Sequence, residues 1–353
     1  MVDDVETDSV MSTFRTDPVL KSLVWLLWDL SGVRYVWQKI RPLKEGRSSD
    51  YRPPSTIILW IIGIYVALFG VASGRYENRV DIIENRANAM FAQLGTSVKD
   101  KALSRISRIQ NMACPKRPDI KHPLTVFESL LSDDRYDQIV KDLKETIEDW
   151  KGHLYRVDLH KAHLQNAHLD EADLRGAILA RADLRGAVLW GADLRKATLL
   201  GADLREASLH KANLRGAVLL GADLRKAKLE EADMEGAYLI RADLREANLK
   251  STDLQEVFLT DADLRQADLE NADLRQSNLE EVDLREANLE KANLWGVILK
   301  KADLRGAILK NANLRRSDLE NADLRGANLE NADLRGANLL KPILSSIQLS
   351  GTK

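Results

Sequence analysis

Cysteine is almost missing from this chain. Cys114 stands alone, which excludes an intrachain disulfide. Histidine is scarce at six residues, and aromatic residues make up 5%. No glycine-rich phosphate loop, nucleophile motif or HExxH pair occurs. The net charge of -2 gives the whole chain no electrostatic preference for nucleic acid or anionic lipid. What the sequence does have is one long apolar run and a repeat of unusual period.

The apolar run is "STIILWIIGIYVALFGVASG" (55–74), with no charge between Arg52 and Arg75. A helix needs about 20 apolar residues to cross a hydrocarbon core, so the run reads as a transmembrane helix. A buried core helix is the rival reading, disfavoured because such a helix is rarely apolar all round. Upstream, residues 1–54 include a helical pattern over 22–40 (Leu23, Leu27, Leu30, Val33, Trp37), read as an interfacial helix before the span. A soluble helix packed on the protein is its alternative. Lys39, Arg41, Lys44, Arg47 and Arg52 precede the run, against Arg75, Arg79 and Arg86 after it. This balance favours an inside N-terminus and an outside repeat.

Residues 75–131 read as a juxtamembrane helix and a proline-rich linker. Val80, Ile83, Ala87, Met90 and Leu94 fit either a short coiled-coil seam or, better, an ordinary amphipathic helix, since barely two heptads are covered. Pro115, Pro118 and Pro123 resist helix and mark a boundary. Residues 132–151 read as a capping helix with Tyr136, Ile139, Val140, Leu143, Ile147 and Trp150 on one face.

From Leu154 to Leu349 every fifth residue is Leu, except Met234. From 162 to 337 the position two before it is Ala, except at Thr252, Val257, Ser277, Val282, Val297 and Ser317. Five residues advance an α-helix by about 500°, so the leucines form no stripe. In a straight strand an odd period sends them to alternate faces. The pattern works if each pentapeptide is a short extended piece followed by a corner. Four such sides close a coil of twenty residues, with Ala and Leu inside. Forty units give about ten coils and, at about 4.8 Å per coil, a rod of roughly 48 Å.

The A(D/N)LXX units over residues 152–349 resemble the pentapeptide-repeat family. The resemblance implies an all-β solenoid, a right-handed quadrilateral β-helix, here following an α-helical N-terminal region with one transmembrane helix. It implies function weakly. The best-known members are soluble proteins that mimic DNA and bind DNA gyrase, and a bacterial inner membrane is the setting the family suggests. The tail is 350–353, and the final coil, with Pro342 in the Ala position, is expected to be irregular.

A ten-residue rhythm of "ADLR" decorates two opposite faces with Asp–Arg ladders. One of the two remaining faces carries an outward apolar run: Ile178, Leu200, Val218, Leu220, Tyr238, Ile240 and Phe258. Its opposite begins with Val188 and Trp190 and then turns polar with Lys228, Glu230, Asn248, Lys250, Asp268 and Glu270. The apolar run is the candidate interaction face, although apolar side chains also suit any strand position. His153, His160, His163 and His168 fall on different faces and cannot converge on one metal. No catalytic, cofactor or metal site is expected, and no enzyme. The leading expectation is a membrane-anchored scaffold that binds a protein or self-associates, with no small-molecule substrate and no nucleic acid. The alternative is a gyrase-directed DNA mimic acting through residues 251–290, which hold twelve acids and three bases.

Overall fold

The computed structural model describes residues 56–94, 102–345 and 349–352. The expected interfacial helix over 22–40 lies outside the described residues. The chain divides into two compact units. One joins the first helix up to Arg79 with Pro115–Asp134; the other joins Val80–Cys114 with the chain from Arg135 onward.

The first helix, α1, runs over Thr56–Leu94. Nothing in its sequence stops it at residue 74: there is no proline, and Gly70 and Gly74 stand in open space. It therefore continues through Arg75 and the charged residues beyond, where a span ending at 74 was expected. Among the described residues no helix is long and apolar enough to cross a membrane; the apolar run itself begins at Ser55, outside them. In the first unit α1 meets the chain that carries α3 (Pro123–Leu131). Proline fits the first turn of α3 because the amide it lacks would have no helical acceptor there. Arg75 donates to the last carbonyls of α3, Ser129 O at 2.7 Å and Leu130 O at 2.6 Å, and pairs with Asp133 at 2.7 Å. A cation at a helix C-terminus both fills orphan acceptors and opposes the dipole. The Tyr65 hydroxyl donates to Ile120 O at 2.8 Å.

Residues 113–135 are more structured than a linker. β1 (Ala113–Pro115) and β2 (Asp133–Arg135) pair as a two-stranded sheet, with α3 between them in sequence. This pairing takes residues from the expected 132–151 helix, so the helix α4 starts later, over Asp137–Asp149.

In the second unit the amphipathic seam of α1 is packed inside the chain: Ile83, Ala87, Met90 and Leu94 are buried. In the same unit the short helix α2 (Ile106–Gln110) packs against α4, whose Ile139, Leu143 and Ile147 are buried, and Gln110 of α2 and Glu148 of α4 hydrogen-bond to the first coil of the solenoid.

The solenoid itself is a stack of parallel coils. Residue i bridges residue i+20, from Asp158↔Ile178 to Asp323↔Ile343. Leu and Ala point inward and are buried from Leu154 to Ala332, with Met234 in line at 0% exposure. The polar substitutes for Ala are satisfied: Thr252 donates to Leu229 O, Ser277 to Leu254 O and Ser317 to Leu314 O, at 2.6–2.8 Å. A short hydroxyl fits a position sized for Ala provided it finds such an acceptor.

The corners have one geometry. The Ala N–H donates back to the Leu carbonyl three residues earlier, as from Ala162 to Leu159 O at 3.0 Å. From Leu154 to Leu339 the second residue after each Leu, or after Met234, has positive φ, as at Lys161, Asn166 and Gly176. That is the requirement of a type II turn, normally met by glycine or asparagine. Here Lys, Glu, Arg and Gln occupy most such corners. The stack overrides a local preference of about 1–2 kcal/mol per residue.

The first coil has no coil before it to accept its amides. Elsewhere such an amide donates to a carbonyl 21 residues back, as from Asp183 to Ala162 O. At the start, four different groups stand in. Asp158 N–H donates to Ser104 Oγ (3.4 Å), His163 N–H to Gln110 Oε1 (3.0 Å) and His168 N–H to Glu148 Oε1 (2.8 Å). Asp173 N–H donates to Lys151 O at 2.9 Å. The four sides are thus capped by the turn before α2, by α2, by α4 and by the segment just after α4. The far end departs from the regular pattern, with Leu339, Leu344 and Leu349 exposed.

Candidate interaction face

The twenty-residue coil puts four columns of side chains on four faces. Both "ADLR" faces hold their Arg close to their own Asp. On the face containing Asp183, Arg185 Nε and a terminal nitrogen reach the two Asp183 oxygens at 2.8 and 2.6 Å. The next coil's Asp203 lies at 3.6 Å. The ladder expected from sequence is therefore mainly an intra-strand fork, with a weaker link between coils. The fork does a second job: Asp183 Oδ1 accepts the Arg185 N–H at 3.4 Å, and Asp203 the Arg205 N–H at 3.3 Å. This use of Asp or Asn as a local backbone acceptor explains the D/N position of the repeat. Burial pushes the Asp183 carboxyl up, but hydrogen bonds from Arg185 and Gln165 outweigh it and hold the group below the ordinary carboxylate value.

The seven residues of the apolar run fall in two neighbouring columns of one face. Bridges connect Ile178 to Thr198, Val218, Tyr238 and Phe258 in succession. Leu200, Leu220 and Ile240 occupy the parallel column beside them. Ile178, Leu200, Tyr238 and Phe258 are exposed by 38–46%, and the other three are half-buried. The Tyr238 and Phe258 rings stack at 4.9 Å, with 3° between their planes. Beyond Asn278 the column regains an exposed apolar residue at Ile298.

The opposite face is tied together by polar bonds. Lys250 reaches Asp268 at 3.2 Å and Glu270 at 3.3 Å, and Asn248 donates to Glu230 at 2.6 Å. Val188 and the exposed Trp190 start that face, as expected, and the exposed Ile308 lies further along it. Between residues 178 and 258 the apolar face has no such side-chain bond among the described residues. Its side chains meet by contact alone.

The histidines do not converge. His160 Nδ1 pairs with Asp158 at 2.8 Å, His163 Nε2 with Asn111 Oδ1 at 3.1 Å, and His153 meets the Trp150 ring edge-on. Among the described residues, the carboxylates of Asp233, Glu235 and Asp253 are the ones grouped closely enough to hold a cation. The pattern "ADLR" fails there, since Glu235 and Gln255 replace Arg. Arg215 from the preceding coil already pairs with Glu235 and lies 3.6 Å from Asp233. The acids of residues 251–290 spread around the rod: Asp253 and Asp273 share one face, Asp263 and Asp283 another, and Asp268 and Glu270 a third. Asp263, Asp273 and Asp283 are each engaged by an arginine.

The profile of the family described as "Pentapeptide repeats" matches eight copies between residues 153 and 353. Among solved structures, HetL from the cyanobacterium Nostoc sp. strain PCC 7120 is 38% identical. The match covers 56% of this chain and 89% of HetL, with a TM-score of 0.55. HetL is described as involved in the regulation of heterocyst differentiation. QnrB1, a plasmid-mediated fluoroquinolone resistance protein, is 21% identical over 46% of this chain and 84% of its own, with a TM-score of 0.25. Rfr23 from the cyanobacterium Cyanothece 51142 is 45% identical over 26% of this chain and 60% of its own, with a TM-score of 0.15. No curated protein matches this chain.

Proposed function

The chain belongs to the pentapeptide-repeat family, and we propose that it is a non-enzymatic interaction scaffold whose rod offers the Ile178–Phe258 face to a protein partner. The observation that carries this reading is the asymmetry of two faces with the same backbone task. One is bound across coils by charge and amide pairs; the other exposes apolar side chains over five coils. Contiguous exposed apolar surface on a folded protein commonly meets a partner. No convergent set of nucleophile, base and oxyanion donor accompanies the face, so binding is the chemistry it supports. HetL's regulatory role is consistent with an action exerted by contact.

The first unit holds the rod at a membrane in this reading. Twenty-two uncharged residues separate Arg52 and Arg75. Ile61, Ile64, Val66 and Val71 of α1 are exposed, as are Leu124, Phe127 and Leu131 at helical spacing on α3. Such surface is costly in water and suits lipid. The charge balance of five cations before the run to three after it favours repeats on the outer side, the periplasm if the membrane is a bacterial inner one. Retention of the full chain in membranes after alkaline washing supports the anchor; its release refutes it.

The interaction reading is tested by Leu220→Lys with Ile240→Glu in the full chain. Both side chains face outward, so the coil signature in circular dichroism should persist while partner capture or self-association is lost. Unchanged capture and mass would reduce the face to strand propensity. The gyrase-directed alternative has less support, because the acids of 251–290 form no single patch. Potent inhibition of supercoiling by the full chain would revive it.

A further inference from the structure

The apolar face has a rim, and the rim has one sign of charge. Its two edges are the corner columns on either side. One runs Arg156, Gly176, Lys196, Gly216, Gly236; the other runs Lys161, Arg181, Gly201, Gly221, Arg241. Every position beside the stripe is therefore a cation or a glycine. Acids appear only where the stripe ends, at Glu256 and Asp261.

The corner geometry does not demand these glycines, since Lys, Glu and Arg hold the same positive φ elsewhere. A Cβ at Gly221 or Gly236 would meet nothing within 4 Å. Their effect is to keep the edges low and leave Arg181 and Lys196 uncompensated. On the other edges a cation is followed one coil later by an acid, Lys211–Glu231 at 3.5 Å and Lys226–Glu246 at 3.7 Å, whereas at the stripe such a pair forms at its far end, Arg241–Asp261 at 3.5 Å. Beside the stripe, Arg181 is followed by Gly201 and Lys196 by Gly216, with each Cγ 3.8 Å from where a Cβ would stand. Neither Arg181 nor Lys196 has an ion pair among the described residues.

The face also offers backbone donors. Where Asp or Asn precedes, its side chain accepts the next-but-one N–H. Here the preceding residues are Thr198, Val218 and Tyr238, so the amides of Leu200, Leu220 and Ile240 have no acceptor from the chain among the described residues. Apolar ground, unpaired cations and free N–H groups all favour an occupant that is apolar along its middle and rich in carboxylates at its flanks.

We infer that the face receives an acidic amphipathic helix of another protein; the inference rests on the interaction reading above. A helix satisfies its own backbone, whereas an extended peptide would leave half its backbone groups unpaired over the apolar side chains. Ile178 to Phe258 spans about 19 Å at the usual coil spacing, the length of about 13 helical residues. A second copy laid face to face in two-fold arrangement would bring the two basic rims together, which disfavours it.

The test uses the purified full chain and two labelled synthetic peptides of about 18 residues. Both carry the same leucine stripe; one is flanked by Glu, the other by Lys. The Glu peptide should bind at least about tenfold more tightly by fluorescence anisotropy. Arg181→Glu with Lys196→Glu should remove that preference, and Glu171 and Glu206 already occupy equivalent corners. Equal binding of both peptides that is lost in Leu220→Lys/Ile240→Glu would overturn the acidic partner and leave the interaction face standing. Binding indifferent to that variant would overturn both. Displacement of the Glu peptide by phosphatidylglycerol vesicles as effectively as by unlabelled peptide would assign the face to lipid. A doubling of mass abolished by the rim variant would assign it to a second copy.

Discussion

Gln110 and His163 exchange two hydrogen bonds. The His163 amide donates to Gln110 Oε1 at 3.0 Å, and Gln110 Nε2 donates back to His163 O at 3.3 Å. A side-chain amide thereby imitates the coil that would otherwise precede the first one. Gln110 is fully buried. Gln110→Leu keeps much of its bulk but leaves the His163 amide unpaired, at a cost of about 1–3 kcal/mol. Hydrogen exchange should accelerate at His163 while the amides of the central coils stay protected. Uniform acceleration along the rod would mean that the cap controls global stability.

A charge inside the rod should be far more damaging. Leu244 is 1% exposed in the Leu column. Leu244→Asp buries an unpaired carboxylate and costs several kcal/mol, of order 3 or more. Leu244→Met should cost below about 1.5 kcal/mol, since Met234 already occupies the same kind of site. Thermal melts of both variants decide the matter; equal melting temperatures would refute the inward assignment.

Two glycine corners separate backbone strain from steric fit. Gly186 and Gly221 have φ of +64° and +61°. A Cβ at Gly186 would press on the Asn166 side chain, while one at Gly221 meets nothing within 4 Å. Gly221→Ala should cost about 1 kcal/mol from the left-handed conformation alone. Gly186→Ala should cost more, and Asn166→Ala should remove the excess. Chemical denaturation of the two single variants and the Gly186/Asn166 double variant measures both contributions.

Acid should loosen the Asp–Arg forks in a defined window. Arg335 holds the Asp333 carboxyl down at about 2, from an ordinary value of 3.8. Arg175 and Arg325 pull Asp173 and Asp323 in the same direction. A depressed carboxylate contributes stability above its unfolded value and loses it as pH falls through its folded one. The fork contribution should be complete at pH 5 and above, by about one unit of margin, and decline between about 4 and 2. Because the forks are exposed, added salt should narrow the difference. A melting temperature independent of pH across that window would show that the forks contribute nothing to stability.

Much of the rod was legible because the repeat leaves few alternatives. An odd period excludes straight strand, and Ala two before Leu requires a narrow interior. The corner residue was harder to identify. Lys161 and Glu171 adopt a conformation that single-residue preferences assign to glycine or asparagine, and the reason lies in the stacked coils around them. The role of Asp183 as an acceptor for the Arg185 amide was hidden for a related cause: Asp beside Arg looks complete as an ion pair. At the N-terminal end, Ile139, Leu143 and Ile147 announced the cap, whereas Ser104 and Gln110 gave no signal. They act through hydrogen bonds to residues about 53 positions away, and no local periodicity encodes such a partner. The apolar face was readable once twenty residues were taken as one coil. Its basic rim was not, since glycine and lysine at fixed corners acquire meaning only when the two edges are seen together.

The coil length also governs how such a gene can change. Because residue i lies over residue i+20, gain or loss of twenty codons lengthens or shortens the rod without turning any downstream surface. Gain or loss of five codons keeps every Leu and Ala inward yet turns all later residues by a quarter circle. Between residues 178 and 258, an insertion of that kind would preserve the fold and sever the apolar face from its continuation. Recombination between near-identical units, such as "NADLRGANLE" at 321–330 and its copy at 331–340 up to Asn338 and Leu339, proceeds in half-circle steps. A lineage can thus move a binding surface to the opposite side of the rod in a single event, with no substitution at all.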